Sequence, residues 1–327
     1  MDIYIYKLRF KGPVHFGETG IELENVTERI YSDTLFSALI NAMNIIYGQN
    51  ETDQFVKKFT NAPPFLISSL FLYDKNTIYF PRPFVDEQLH ETLKRKFGKE
   101  LKKITWLSNS MFLKWISGDM LNEDNIEAMI KDQENYKRAY EVEIRPRVSL
   151  DRNTQNSNLY HSGYVHFEKN AGLYGLLAVK DNQTLDLFKN LLKNLGDIGL
   201  GGEKTYGSGL YEVLEFSKVD GVLFEIFKAI SPWHVSLSLY HPSPDEMSKI
   251  KENAVAYDLI RRKGWITTGR NSLPLKKKSV GFFVEGSVFK GCPNGCLVDV
   301  TPDTYPDKVL KHKVYRYGFA FTAPFGG

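Results

Sequence analysis

Apolar and polar residues alternate from the start of the chain. Tyr4, Tyr6, Leu8 and Phe10 fall on one side of an extended backbone and Lys7 and Arg9 on the other, which predicts a strand over residues 3–10. The period then lengthens. Leu35, Phe36, Leu39, Ile40, Met43 and Ile46 recur at three- and four-residue intervals and predict an amphipathic helix, with Ser32 suited to cap its start and Gly48 its end. In that setting Asp33 has an ordinary role, a first-turn acid favoured by the helix dipole. Between residues 50 and 130 the pattern is weaker, with a strand expected over 77–80 and a Pro-Arg-Pro turn at 81–83. Lys94, Arg95, Lys96, Lys99, Lys102 and Lys103 follow on a helix-like run, either a solvated face or a contact for a phosphate backbone.

Further on, two strand-like segments, 163–168 and 173–179, precede a helix over about 184–195. Leu185, Phe188, Leu191, Leu192 and Leu195 form its buried stripe, and Gly196 is read as its end. Another strand is expected over 209–216. Residues 1–217 therefore read as β-α-(insertion)-β-β-α-β, the ferredoxin-like order, enlarged by an insertion at about 50–160. Past a boundary near 217–230 come a strand at 233–240, a helix at about 245–262, and strand-like segments at 264–268, 280–285, 297–300 and 314–321. Residues 218–327 are read as a second, less regular domain of the same type. The expected class is α+β, two ferredoxin-like (RRM-like) domains.

The most unusual stretch lies between the 184–195 helix and the strand after it. Gly199, Gly201, Gly202, Gly207 and Gly209 place five glycines in eleven residues. Such a run admits positive φ and lets another backbone approach its amides, as cradling a phosphodiester chain requires. Lys204 adds a charge, Thr205 a hydroxyl and Tyr206 a face for a base. A P-loop is excluded because Glu203 stands where glycine would precede Lys-Thr, and a dinucleotide fingerprint because Lys204 stands at a required glycine. Both motifs also run from strand to helix, whereas this loop leaves a helix and enters a strand. A glycine-rich connection with no ligand is the plain alternative.

A second group lies upstream, where Arg145, Arg147 and Arg152 sit close together near Pro146 and precede a polar loop. Three arginines on an irregular segment suit phosphate or base recognition; the alternative is ion pairing with the neighbouring glutamates. Composition narrows the setting. At 327 residues, 42% hydrophobic and 25% charged, the chain is an ordinary globular protein of two-domain length, and a net charge of +3 confines any nucleic-acid surface to a local patch. The opening segment carries an acid where an export signal would be basic, and no apolar run is long enough to span a membrane, so a cytoplasmic location is expected. Cys292 and Cys296 supply only two of the four ligands of a structural zinc site; zinc and a tight-turn disulfide are lesser readings, reduced thiols flanking a Pro-Asn-Gly turn the leading one, with no metal or cofactor expected. Arg270 and Lys276–Lys278 form a further basic loop, a second contact or merely a soluble one.

With these pieces in place the chain resembles the RAMP superfamily of CRISPR proteins and, more narrowly, the Csm subunit four family of the type III-A effector complex. The texts that carry the resemblance are Pro13-Val-His-Phe-Gly-Glu18, Ser32-Asp-Thr-Leu-Phe-Ser-Ala38, Arg147-Val-Ser-Leu-Asp-Arg152, the glycine loop, Glu285-Gly-Ser-Val-Phe289 and Tyr315-Arg-Tyr-Gly318. The resemblance implies a subunit that caps one end of a ribonucleoprotein. It would grip the 5′ handle of the CRISPR RNA and dock on the large polymerase-like subunit and the backbone RAMP subunit, with no chemistry of its own. The glycine loop, Arg145, Arg147 and Arg152 are then the leading RNA contacts, with Tyr160 and His161 second to them.

Some RAMP relatives are RNA endonucleases, and His15 invites a general-base role in metal-independent cleavage. No acid partner is fixed to it by spacing, so His15 is read as an RNA-contacting or structural residue. His166 and His234, within strands, are read as core or sheet-surface residues. A pure assembly scaffold is the third possibility.

Overall fold

The computed structural model describes residues 1–17, 23–150, 157–266, 275–303 and 312–326. Its centre is an antiparallel sheet of seven strands: β1 (Asp2–Phe10), β2 (Phe65–Ile67), β3 (Phe71–Asp74), β4 (Thr77–Pro81), β5 (Trp106–Ser108), β8 (Ala171–Val179) and β9 (Tyr211–Lys218). They lie in the order β5-β4-β3-β8-β1-β9, with β2 also on β8. Strands β6 (Tyr140–Leu150) and β7 (Ser157–Phe167) form a separate antiparallel ribbon, Arg145 opposite Ser162 and Arg147 opposite Tyr160.

This layout corrects one expectation. The 163–168 segment is a strand, but it belongs to the ribbon, and the central partners of β8 are β1 on one side and β2 and β3 on the other. Segments inside the expected insertion thus complete the sheet. Phe71, Leu72 and Tyr73 are a short unbroken apolar run, which periodicity alone cannot assign to a strand.

Each face of the sheet is covered. Tyr6 and Leu8 of β1 pack under helix α1 (Ser32–Tyr47), helix α2 (Gln49–Asn61) and the Asn182–Ile198 helix through Leu35, Leu39, Phe59, Phe188 and Leu192. Ile5, pointing the other way, joins Phe71, Tyr174, Trp106, Trp115 and Met129. All of β8 is buried, so it carries apolar residues and glycines throughout instead of alternating. The second core runs on without a break into Val235, Leu237, Val288 and Phe321, which belong to a four-stranded antiparallel sheet of Trp233–Ser236, Ala254–Ala256, Val288–Lys290 and Thr322–Phe325.

Three local expectations change. The helix expected over 245–262 is two single turns, Pro244–Met247 and Ile250–Asn253, followed by strands Ala254–Ala256 and Leu259–Arg262; a Ser243–Glu246 capping box starts the first turn, but the glutamate also accepts from the amides of Asn294 and Gly295. Gly196 lies inside its helix, where a Cβ would come within 2.6 Å of the Tyr211 carbonyl oxygen, and Gly199 ends it. Ser32 is the first helical residue rather than the cap, and its Oγ accepts from the Leu239 amide at 3.1 Å. Cys292 and Cys296 are free thiols. Among the described residues no helix is long and apolar enough to cross a membrane.

Candidate nucleic-acid interface

Residues 13–16 run as a short extended segment between the β6–β7 ribbon and the glycine loop. On one side Val14 exchanges backbone hydrogen bonds with Val165 of β7 at 2.8 and 2.9 Å; on the other the His15 carbonyl accepts from Gly202 at 2.8 Å and the Pro13 carbonyl from Gly209 at 3.2 Å. The ribbon and the loop are thereby fixed as two walls.

The glycines are used for close approach. Gly199, Gly201, Gly207 and Gly209 all have positive φ, from 79° to 99°. A Cβ at Gly201 would meet the His15 carbonyl oxygen at 2.6 Å, at Gly202 the His15 ring at 2.6 Å, and at Gly209 the Leu200 carbonyl oxygen at 2.1 Å. The backbone that these glycines admit is the protein's own. Gly207 alone of these four positive-φ glycines borders open space. Between them Lys204–Tyr206 make one 3-10 turn entered through Glu203, a left-handed non-glycine residue with φ 54°. The turn presents Lys204, Thr205 and Tyr206 to solvent.

Arg147 closes the gap between the walls. From β6 its guanidinium lies 4.2 Å from the centre of the Tyr206 ring, and its Nη2 donates to the Tyr164 hydroxyl at 2.5 Å. Arg145, two residues back on the same ribbon face, stacks on Tyr164 at 4.9 Å but is already paired with Glu143 at 2.7 Å. That pairing, with His166 2.8 Å from the same carboxylate oxygen, holds the Glu143 carboxyl down at about 2. Arg145 therefore satisfies its own strand neighbour, whereas Arg147 bridges ribbon and loop. Tyr160 lies opposite Arg147, and His161, on the other ribbon face, is 3.5 Å from Glu24. Arg152 lies outside the described residues, as does Arg270.

His15 is buried, and its Nδ1 donates to the Gly163 carbonyl at 2.8 Å, leaving Nε2 as the acceptor. With Lys204, Gly201 and Gly202 it lines a cleft of about 590 Å³ whose far wall is α1 and whose floor includes Arg29 and Arg262. The floor was not legible in the sequence. Fully buried Asp33 accepts from Arg262 through both oxygens, each at 3.2 Å, and from Arg316 Nη1. Burial would raise the Asp33 pKa, but the two guanidiniums together bring it below its usual value. Reciprocally, buried Glu285 lies 3.5 Å from Arg29 and accepts from Ser69. Two acids, one from each part of the chain, are held by cations of the other part.

The RAMP superfamily model matches residues 7–212, and the CRISPR Csm4 C-terminal domain model matches residues 230–325. The chain belongs to the Csm4 family of the RAMP superfamily. It is 30% identical over 294 residues to the CRISPR system Cms protein Csm4 of Thermococcus onnurineus, covering 89% of each chain, and 24% identical to that of Methanocaldococcus jannaschii across 99% of this chain and 98% of the other. In fold it resembles a chain of the Csm3–Csm4 subcomplex of a type III-A CRISPR-Cas interference complex (TM-score 0.66, 18% identity, all of both chains). It also resembles a chain of a Csm1–Csm4 cassette in complex with pppApA (TM-score 0.64, 23% identity, 99% and 98% of the two chains). The Csm4 texts Ser32–Ala38 and Tyr315–Gly318, far apart in sequence, meet in the Asp33–Arg316 contact.

Proposed function

We propose that this Csm4-family chain grips the single-stranded 5′ handle of a CRISPR RNA in the cleft between the glycine loop and α1, and caps its complex without cutting the RNA. The observation that carries the proposal is the Arg147–Tyr206 stack, a cation and an exposed ring held at the same 204–206 turn whose Lys204 lines the cleft together with Arg29 and Arg262. A phosphate would meet Lys204 and Arg147, and a base would stack on Tyr206. The glycines build the wall, and the side chains of the 204–206 turn make the contacts.

The absence of chemistry is part of the proposal. A general base at His15 would act through Nε2 and would need a second acid or electrostatic group for the cleavage; the ring is buried and held by its Nδ1 bond to the Gly163 carbonyl. No described carboxylate is hydrogen-bonded or ion-paired to it. The strand order β9-β1-β8-β3, with α1 and the Asn182–Ile198 helix on one face, supports a ferredoxin-like reading of residues 1–217, followed by a second domain over 218–327. The Csm1–Csm4 and Csm3–Csm4 structures to which the fold is similar support docking on a polymerase-like large subunit and a backbone RAMP subunit.

The test is binding of labelled 5′-handle RNA by the wild type and by an Arg147→Ala, Lys204→Ala double variant at fixed salt, with the RNA recovered and sized afterwards. Intact RNA, bound by the wild type and largely lost by the variant, is the expected result. Equal binding by both proteins would remove the site, and metal-independent cleavage abolished by His15→Ala would put an endonuclease in its place.

A further inference from the structure

Helix α1 has a polar edge that the RNA-gripping reading leaves unused. Ser37, Asn41 and Asn44 stand at i, i+4 and i+7, one above another on one helix face. All three line the cleft described above, and all three also line a second one, of about 400 Å³, on the other side of that edge. Helix α2 and strands of the C-terminal part wall the second cleft, and Lys57, Lys277, His312 and Lys313 face it. Its one carboxylate, Asp53, is held by the Gln49 amide at 2.7 Å. Asn41 and Asn44 are exposed, with no side-chain hydrogen bond to a described residue.

The charge beneath the two clefts is unbalanced. Arg29, Arg262, Arg316 and Lys277 gather around three carboxylates, Asp33, Glu285 and Glu28, which leaves one positive charge over. Both oxygens of Asp33 are occupied by the arginines. Lys277 is half-buried, repelled by both arginines, and forms no ion pair with a described residue. A half-buried ammonium in that position has near it only Asp33, whose oxygens the arginines already hold, and the cleft it faces is open to an anion of its own.

We propose that a single RNA strand leaving the glycine-loop cleft crosses α1 over Ser37, Asn41 and Asn44 and sets a phosphate against Lys277 in the second cleft, with His312 and Lys313 beside it. The ridge supplies neutral donors and acceptors for phosphate and sugar, and Lys277 supplies the point charge. A nucleic-acid strand fits better than a free nucleotide because the two clefts share one ridge and form a continuous track. This inference rests on the reading of the first cleft as an RNA groove.

The experiment uses the full chain and two labelled handle-sequence RNAs, of about four and about eight nucleotides, lengths at the lower end and within the usual range for single-strand sites. The longer reaches past α1 and the shorter fills only the glycine-loop cleft. Lys277→Ala should weaken the longer RNA by about tenfold, the loss expected for a hydrogen bond to a charged group, and reduce the slope of log affinity against log salt by about 0.7. The shorter RNA should bind unchanged. A Lys57→Ala, His312→Ala variant, altered only at exposed positions that line the second cleft and not the first, should also discriminate between the two lengths, and it decides the matter if Lys277→Ala melts early. Equal losses for both lengths, or none for either variant, would overturn the second cleft. If, in that case, Lys204→Ala still weakens the shorter RNA, the first cleft stands; if wild type binds neither RNA, both readings fall.

Discussion

Asp33, the second residue of α1, shares its carboxylate with Arg316, 283 positions later in the chain, and both side chains are buried. The contact, with Arg262 as third member, ties the residues matched by the RAMP model to those matched by the Csm4 C-terminal model. Removing the acid leaves two buried guanidiniums facing each other. Asp33→Ala should therefore destabilise the protein by about 3–5 kcal/mol, the usual cost of orphaning a buried charge. Urea denaturation measures it, and a loss below about 1 kcal/mol would mean that the arginines find water or other partners.

The same carboxylate sets an acid limit. Its folded pKa is below the ordinary value of 3.8, so the unfolded chain binds its proton first as pH falls. The stabilisation is complete above the unfolded value and disappears as pH drops through the folded one. Thermal melts between pH 6 and 3 should show the wild type losing stability below about pH 4, and Asp33→Asn, less stable at neutral pH, losing less over that interval. Parallel curves for the two proteins would assign the acid limit to other carboxylates.

The periodic parts of this fold were readable from sequence because one rule governed each. Strand β1, helix α1 and the Asn182–Ile198 helix each bury a single face, and spacing alone reveals that. Strands β2 and β3 escaped because Phe65–Ile67 and Phe71–Asp74 are short and mostly buried, so nothing in them alternates. The 245–262 stretch misled because a true capping signal at Ser243 starts one turn of helix, and packing, not propensity, then turns the chain into strands. At the site, glycine loop and arginines were both visible, but which arginine bridges them was not: Arg145 and Arg147 are alike in sequence and differ only in that Glu143 lies within reach of the first. Arg29, Arg262 and Lys277 carry no local signal, since the buried acids that gather them, Glu285 and Asp33, lie on segments distant in the chain.

The glycines can be separated by what surrounds them. Gly207→Ala incurs only the left-handed penalty, about 1–2 kcal/mol, because its Cβ would enter open space. Gly209→Ala adds a collision with the Leu200 carbonyl and should shift the backbone of the whole loop. Melting temperature should fall further for Gly209→Ala than for Gly207→Ala, and handle-RNA affinity should follow the same order. If Gly207→Ala were the more damaging to RNA binding while leaving stability intact, the loop backbone itself would be touching the RNA.

Arg147 and Tyr206 should behave as a pair. Their stack is worth about 0.5–1 kcal/mol at an exposed position, so a double-variant cycle on stability should give a coupling of that size. On RNA affinity the two should differ in kind. Arg147→Ala removes a charge and should reduce the salt slope by about 0.7, whereas Tyr206→Ala should lose about 1–3 kcal/mol of stacking with the slope unchanged. A slope change in both variants would mean that Tyr206 acts only by holding the arginine.

Lys277 makes stability and RNA affinity respond oppositely to alkali. Burial, aided by repulsion from Arg316 and Arg262, lowers its pKa from 10.5 to about 8. Between those values the unfolded chain holds the proton and the folded chain does not, so this residue makes the native state more stable as pH rises from about 8 towards 10.5. A phosphate seated against the ammonium would reverse the preference, since it favours the charged form. The affinity of the longer handle RNA should then fall from pH 7 to pH 9 in the wild type and change much less in Lys277→Ala. The fall should set in near the free-protein value of about 8, and because a bound phosphate raises the Lys277 pKa again, RNA binding at pH 8.5 should take up protons from the buffer. Calorimetry in buffers of different ionisation enthalpy measures that uptake. Equal uptake by wild type and Lys277→Ala would detach the titration from this lysine and remove the phosphate from the second cleft.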